Sequence, residues 1–344
     1  MEGKKLIVPI FISHFGCPHK CIYCDQHQIA RHMPTLPSPE EIYKEIERNL
    51  RTCQYKKKGM RLVQVAFYGG SFTGLPLETQ NDLLSSVAPF IKEEKVHSIR
   101  LSTRPDFIHH EVLKVLKAHK VATVELGVQS MDNGVLNITK RGYGKKRVIR
   151  AVTELHQRGF EVGIQLMIGL PGDTPEKFVS TVEDVIKMRP HFVRIYPTLV
   201  IKGTLLERWY QDGRYRPMPL QEAIILTKGA LERFRQARIA VIRVGLQPTP
   251  YLEEKGTIVA GPYHPAFRQL VESSILYEQT VSLLMNAHRE KGSSFVFVVS
   301  PQDISNFYGH GGQNIKRLKE VFRLEQIKVE TDPQKERGMV SLRR

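Results

Sequence analysis

The chain has 344 residues, of which 41% are hydrophobic and 25% charged, with a formal net charge of +16 at pH 7. These are ordinary globular values for about two domains, and no segment approaches the ~20 apolar residues that cross a bilayer, so a helical membrane protein and a disordered polyelectrolyte are both excluded. An excess of 51 Lys+Arg over 35 Asp+Glu points to a polyanionic partner such as nucleic acid, with a merely solvated basic surface as the plainer alternative.

The opening MEGKKLIVPIFISHFG superficially resembles a secretory leader, but its apolar run is interrupted by Pro9 and no small-residue cleavage site follows. A buried first strand is the better reading. From Lys5 to about Thr198, short β-rich runs (KLIVPIFI, RLVQVAFY, VHSIRLS, VATVELGV, FEVGIQLMI, FVRIYPTL) alternate with helix-length amphipathic segments. Six βα units imply a parallel sheet covered by helices, because parallel strands need long crossovers. The expected fold class is α/β, a partial (β/α)6 TIM-type barrel. Helix starts are signalled by Ser38-Pro39-Glu40-Glu41, Asp173-Thr174-Pro175-Glu176 and Pro219-Leu220-Gln221-Glu222.

After Thr198 the pattern changes to a Gly- and Arg-rich stretch, a helix over about 220–236 and the apolar run ARIAVIRVGL, read as an appendage closing the barrel. The expected division is a barrel with its appendage over 1–263 and a small α+β domain over 264–344. The chain shows no internal repeat beyond the βα periodicity and no low-complexity segment.

Three of the four cysteines fall within eight residues, Cys17-Pro18-His19-Lys20-Cys21-Ile22-Tyr23-Cys24, directly after the first strand. Such spacing is not a disulfide framework and indicates metal in a reducing, cytoplasmic compartment. Three thiolates on one loop suit three corners of an iron–sulfur cluster. A zinc site completed by His14, His19 or His27 is the competing reading. Cys53 stands outside any ligand spacing and reads as a structural thiol.

The CxxxCxYC spacing after the first strand of a βα barrel resembles the radical SAM superfamily. That resemblance implies a 4Fe-4S cluster on Cys17, Cys21 and Cys24, S-adenosylmethionine (SAM) on the open iron, and a 5'-deoxyadenosyl radical as the product of reductive cleavage. It also implies a one-electron reductant such as flavodoxin or ferredoxin. Tyr23 would pack near the adenine, and Gly69, Gly70 and Ser71, in FYGGSFT at the end of the second strand, resemble the GGE-type motif that meets the methionine amino group. The segments STRPD, VELGVQS, RGYG and YPTLVIKGT resemble the branch holding the Elongator catalytic subunit and the oxygen-independent coproporphyrinogen oxidases, over about residues 5–250. By that resemblance Ser102 and Arg104 lie near ribose or carboxylate, and Glu125, Gln129 and Gln165 face the SAM cavity. For each, an ordinary strand-end turn or ion pair is the alternative. The first cysteine spacing is shorter than in Elongator, and nothing after residue 250 resembles its acetyltransferase domain, so carboxymethyl transfer is not implied.

Near the C-terminus, SFVFVVS, PQDISNFY, GHGG, QNIKRLKEVF and QIKVE read as strand, helix, glycine turn, helix, strand. This resembles the KH module, whose GxxG loop clamps about four single-stranded nucleotides. The resemblance makes Gly309, His310, Gly311, Gly312, Lys316 and Arg317 candidate RNA contacts, although an ordinary helix–helix turn would have the same glycines. The expected function is a radical SAM enzyme acting on RNA, foremost tRNA. The alternatives are one acting on a small tetrapyrrole-like substrate, or a non-catalytic RNA-binding protein whose cysteines hold zinc.

Overall fold

A computed structural model describes residues 5–12, 15–18, 21–24, 35–54, 62–247, 250–287 and 294–343. Its main sheet has seven strands: β1 (Leu6–Phe11), β2 (Val63–Tyr68), β3 (Ser98–Thr103), β4 (Val121–Gln129), β5 (Glu161–Ile168), β6 (Phe192–Pro197) and β8 (Ala240–Val244). They follow one another in chain order, and every adjacent pair is parallel. The curled sheet is a partial TIM-type barrel, as the βα alternation implies.

The inner strands are mostly buried because both faces are covered; in β2 all residues up to Phe67 are buried. Helices Pro39–Gln54, His110–Ala118, Lys145–Gln157 and Pro175–Met188 lie between successive strands. Two of the expected starts are visible as caps. Ser38 and Glu41 exchange reciprocal bonds, Ser38 N to Glu41 Oε2 at 2.7 Å and Glu41 N to Ser38 Oγ at 3.2 Å. Thr174 Oγ1 accepts from Lys177 N at 3.3 Å, with Pro175 in the first turn.

The sheet has one strand more than the six expected. ARIAVIRVGL, read as an appendage, contains β8, which pairs with β6 as an edge strand. AVIRV is apolar at four of its five positions, yet at the sheet edge only Val244 is buried. A short antiparallel pair, β7 (Val200–Ile201) with β9 (Ile258–Ala260), sits beside the barrel mouth.

The C-terminal residues carry their own sheet, ordered β11 (Gln326–Thr331), β10 (Ser294–Val299), β12 (Val340–Leu342), with β10 parallel to β11 and antiparallel to β12. Between β10 and β11 come helix Ile304–Tyr308, the glycine turn and helix Gln313–Phe322. The helix Phe267–Asn286 serves both cores: Phe267, Val271 and Ile275 pack into the barrel core, Leu276 and Leu284 into the C-terminal one. No helix among the described residues is long and apolar enough to cross a membrane.

Candidate active site

A cavity of about 810 Å³ opens across the C-terminal ends of the strands, from Phe11 of β1 to Arg243 of β8. In a parallel barrel the residues just past the strands converge there, whatever their separation in sequence.

The cysteine loop is held against this mouth by backbone contacts. Ser71 N donates to Phe15 O (3.2 Å), Ile22 N to Thr139 O (3.4 Å) and Leu206 N to Ile22 O (2.8 Å). Ile22 is fully buried in a small cluster with Val200, Leu206 and Tyr215, so it anchors the middle of the motif. Gly16, at φ +77°, faces Gly74: a Cβ on Gly16 would lie 2.3 Å from Ser71 O, and one on Gly74 1.9 Å from Gly16 O. Only glycine permits these two backbones to touch.

Cys17, Cys21, Tyr23 and Cys24 all line the cavity. Among the described residues no three His, Cys, Asp or Glu side chains converge as ligands of a single ion. His14, His19 and His27 lie outside the described residues, as does the side chain of Cys53. Two guanidinium groups face the Cys21 sulfur, Arg141 Nη1 at 3.2 Å and Arg104 Nη1 at 3.7 Å. Arg104 is fixed by a two-pronged pair with Asp106, at 2.9 Å on each side, and donates to the carbonyl of Arg141. Arg141 donates to Gly127 O, to Tyr143 Oη (2.6 Å from Nη2) and to Tyr23 Oη (3.2 Å). Burial pushes the Tyr23 phenol well above its usual value, with Arg141 opposing, so Tyr23 stays protonated. The guanidinium of Arg141 and that of Arg104, the latter shared with Asp106, stand beside a cysteine sulfur as suits an anionic thiolate-ligated centre.

Gly69, Gly70, Ser71, Ser102, Arg104, Gln129 and Gln165 also line the cavity. Gly69 has φ +92°, and Gln129 takes φ +71° at an irregularity in the β4–β5 register, an uncommon conformation for a non-glycine residue. Ser102 Oγ and Gln129 Oε1 are buried with no hydrogen-bond partner among the described residues. Two such orphans on one cavity wall are what a polar ligand would satisfy.

Glu125 is not on the cavity wall. It is fully buried beneath it, where it meets Arg194 Nε at 2.7 Å and Arg100 Nη1 at 3.5 Å, and accepts from Tyr68 Oη (3.2 Å) and Gln165 Nε2 (3.3 Å). The ion-pair alternative therefore describes Glu125, whose carboxylate positions three residues that do reach the cavity: Tyr68, Gln165 and Arg194. The motif reading missed Tyr68, Thr103, Arg141, Arg194, Tyr196, Arg243 and Gln247, all on the wall. For Arg141 the signal was present, since RGYG is one of the quoted segments.

The GHGG loop stands apart from this cavity. His310, Gly311, Lys316 and Arg317 are exposed, and Gly309 and Gly312 partly so. Gly309, Gly311 and Gly312 have φ +76°, +59° and +74°, with open space beside the Cα atoms of the last two. The Arg317 guanidinium stacks over Tyr277 at 4.8 Å.

Residues 11–185 match the family model of the radical SAM superfamily, and residues 190–276 that of the Radical_SAM C-terminal domain. An uncharacterized protein of Methanocaldococcus jannaschii is 30% identical over 243 residues, covering 67% of this chain and 72% of that protein. The tRNA uridine(34) acetyltransferase of Dehalococcoides mccartyi is 29% identical over 241 residues, 62% of this chain and 52% of the relative, so the chain spans about half of that enzyme's length. In fold, the Methanocaldococcus infernus Elp3 aligns with TM-score 0.60 at 20% identity, over 81% of this chain and 64% of the other. With the cysteine loop, the partial barrel and more than half of the sequence in agreement, the chain belongs to the radical SAM superfamily, whose members bind a 4Fe-4S cluster and S-adenosylmethionine.

Proposed function

We propose that this protein is a radical SAM enzyme that modifies RNA, with tRNA the foremost substrate. The observation that carries the catalytic part is the cavity that gathers Cys17, Cys21 and Cys24, the guanidinium groups of Arg104 and Arg141, and the orphaned Ser102 Oγ and Gln129 Oε1. In this reading the three thiolates hold the cluster, whose bound form supplies the electron that cleaves the carbon–sulfur bond of SAM.

The chain's own residues bind and orient. Arg141 and Arg104 offset thiolate charge, Tyr23 lies beside the ligand space as a neutral phenol, and Gly69 and Gly70 offer backbone groups without a side chain in the way. Ser102, Gln129 and Gln165 supply polar partners for the ribose, adenine or methionine end of SAM. The β-barrel walls limit water around a reactive radical. Tyr68, Arg194, Tyr196 and Arg243 line the side of the cavity formed by β2, β6 and β8, where a charged substrate would meet Arg243, the charge of Arg194 being matched by Glu125.

Support for RNA comes from the net charge of +16, the GHGG turn between two helices beside a small sheet, and the tRNA named in the D. mccartyi relative. The test is anaerobic reconstitution with iron and sulfide, then dithionite and SAM, with 5'-deoxyadenosine measured with and without total tRNA. Formation that rises with tRNA supports the reading. Formation indifferent to RNA moves the substrate to a small molecule, and none from a well-filled cluster removes the radical assignment.

A further inference from the structure

A second hollow, of about 450 Å³, lies where β8 meets the C-terminal residues. Val244 and Leu246, Pro265 and Ala266, and Ser305 and Asn306 of helix Ile304–Tyr308 are among the residues that line it. Arg243 lines both this hollow and the cysteine-lined cavity, so the two are adjoining.

The charges in the hollow are unevenly matched. Glu272 is taken up by Arg268 at 2.7 Å, Arg337 at 3.5 Å and Asn306 Nδ2 at 2.9 Å, and Arg337 also reaches Asp303 at 3.6 Å. Arg243 donates to Gln247 Oε1 at 3.1 Å and has no carboxylate partner among the described residues. The hollow therefore carries an uncompensated cation next to polar donors. None of its lining residues is aromatic, so it offers nothing on which a base could stack and suits a phosphate and sugar instead.

The hollow is also close to the glycine turn. His310 of GHGG meets His264 edge to face, with ring centroids 6.1 Å apart, and His264 immediately precedes Pro265 and Ala266 of the hollow's lining. The helix that leads into GHGG is the one that supplies Ser305 and Asn306. Glycine turn, hollow, Arg243 and cavity thus follow one another.

We propose that the hollow is a phosphodiester subsite: a single RNA strand held at GHGG passes through it and over Arg243, which delivers a nucleoside to the cysteine-lined cavity. The proposal rests on the RNA reading given above. Its test measures the anisotropy of a short fluorescein-labelled single-stranded RNA against the reconstituted holoenzyme over a range of KCl concentrations. Arg243→Gln is expected to lower affinity and to reduce the slope of log K against log salt by about 0.7, the value for one lost contact to single-stranded phosphate. Arg243→Lys keeps that slope, and Ser305→Glu, which sets an anion on an exposed position of the wall, lowers affinity several-fold. Should Arg243→Gln not fold, Ser305→Glu carries the test alone. Wild-type enzyme that binds RNA with a salt-dependent affinity, alongside folded variants that bind equally well with the same slope, overturns the subsite and leaves the RNA reading standing. Wild-type enzyme without salt-dependent RNA binding overturns both.

Discussion

Arg141 places its guanidinium 3.2 Å from the sulfur of Cys21, across 120 residues of sequence, and the same side chain reaches Tyr23 and the carbonyl of Gly127. One residue thus ties the cysteine loop to the end of β4. A cation and donor at a ligand sulfur stabilises the reduced, more negative cluster and so raises its reduction potential. Arg141→Gln should shift the midpoint potential to a more negative value and slow 5'-deoxyadenosine formation about 10–100-fold, as losses of ligand-supporting partners do. Redox titration followed by electron paramagnetic resonance checks it; an unchanged potential would show that Arg141 only packs.

Cys17→Ala, Cys21→Ala and Cys24→Ala should each abolish stable iron binding and SAM cleavage, whereas Cys53→Ala should leave both intact. Iron and sulfide analysis after anaerobic reconstitution decides this. A full complement of iron in Cys21→Ala would sink the ligand assignment.

The contact between Gly16 and Gly74 fixes the cysteine loop one residue before its first ligand. A methyl on Gly74 would meet backbone at 1.9 Å, and one on Gly16 would meet backbone at 2.3 Å while holding φ +77°. Gly16→Ala and Gly74→Ala should therefore reduce iron occupancy several-fold while the far-ultraviolet circular dichroism stays that of the wild type. Normal occupancy in both variants would mean that the loop can be seated in another way.

Glu125 is fully buried between Arg194 and Arg100, whose side chains are themselves only 17% and 7% exposed. Removing one partner of such a group leaves buried charge unmatched, so Glu125→Ala should cost about 3–5 kcal/mol in urea denaturation. A loss near 0.5 kcal/mol would be that of a surface pair and would contradict the network.

Asp173, in the GLPGD turn after β5, is pushed up to about 6, first by burial, which outweighs the amide hydrogen bonds from Thr174 and Gly169. Its native pKa thus lies above the unfolded value, so the native state binds the extra proton between the two. The stability linked to it is whole below pH ~4 and is lost as pH rises through about 6. Asp173→Asn removes that loss. The melting temperature of the variant relative to wild type should climb between pH 4 and 6 and then level off; a difference independent of pH would refute the shift.

The barrel was legible because short β-rich runs, largely buried from β2 to β6, alternate with amphipathic helices, of which Pro175–Met188 starts on a Thr174 cap. β8 shows as an apolar run, but the run does not say that it pairs with β6 across the two intervening helices, Leu205–Gln211 and Leu220–Gln236. Among the site residues, the cysteines, glycines and Ser102, Gln129 and Gln165 could be named from short motifs, since each lies in the C-terminal half of a strand or just past it. Arg194 and Arg243 could not: neither falls within a motif segment, and neither residue type nor spacing separates them from the other basic residues of a chain with 51.

The sequence by itself determined the chemistry this protein can hold, because thiolate spacing and the order of strands and helices are local properties of the chain. Tertiary structure alone decided which charges meet. It buried Glu125 under the cavity rather than in it, brought Arg141 to Cys21, and set Arg243 between the cavity and the hollow beside the glycine turn. Those relationships depend on the curl of seven strands and on the seating of helix Phe267–Asn286 across two cores, which no short stretch of residues encodes.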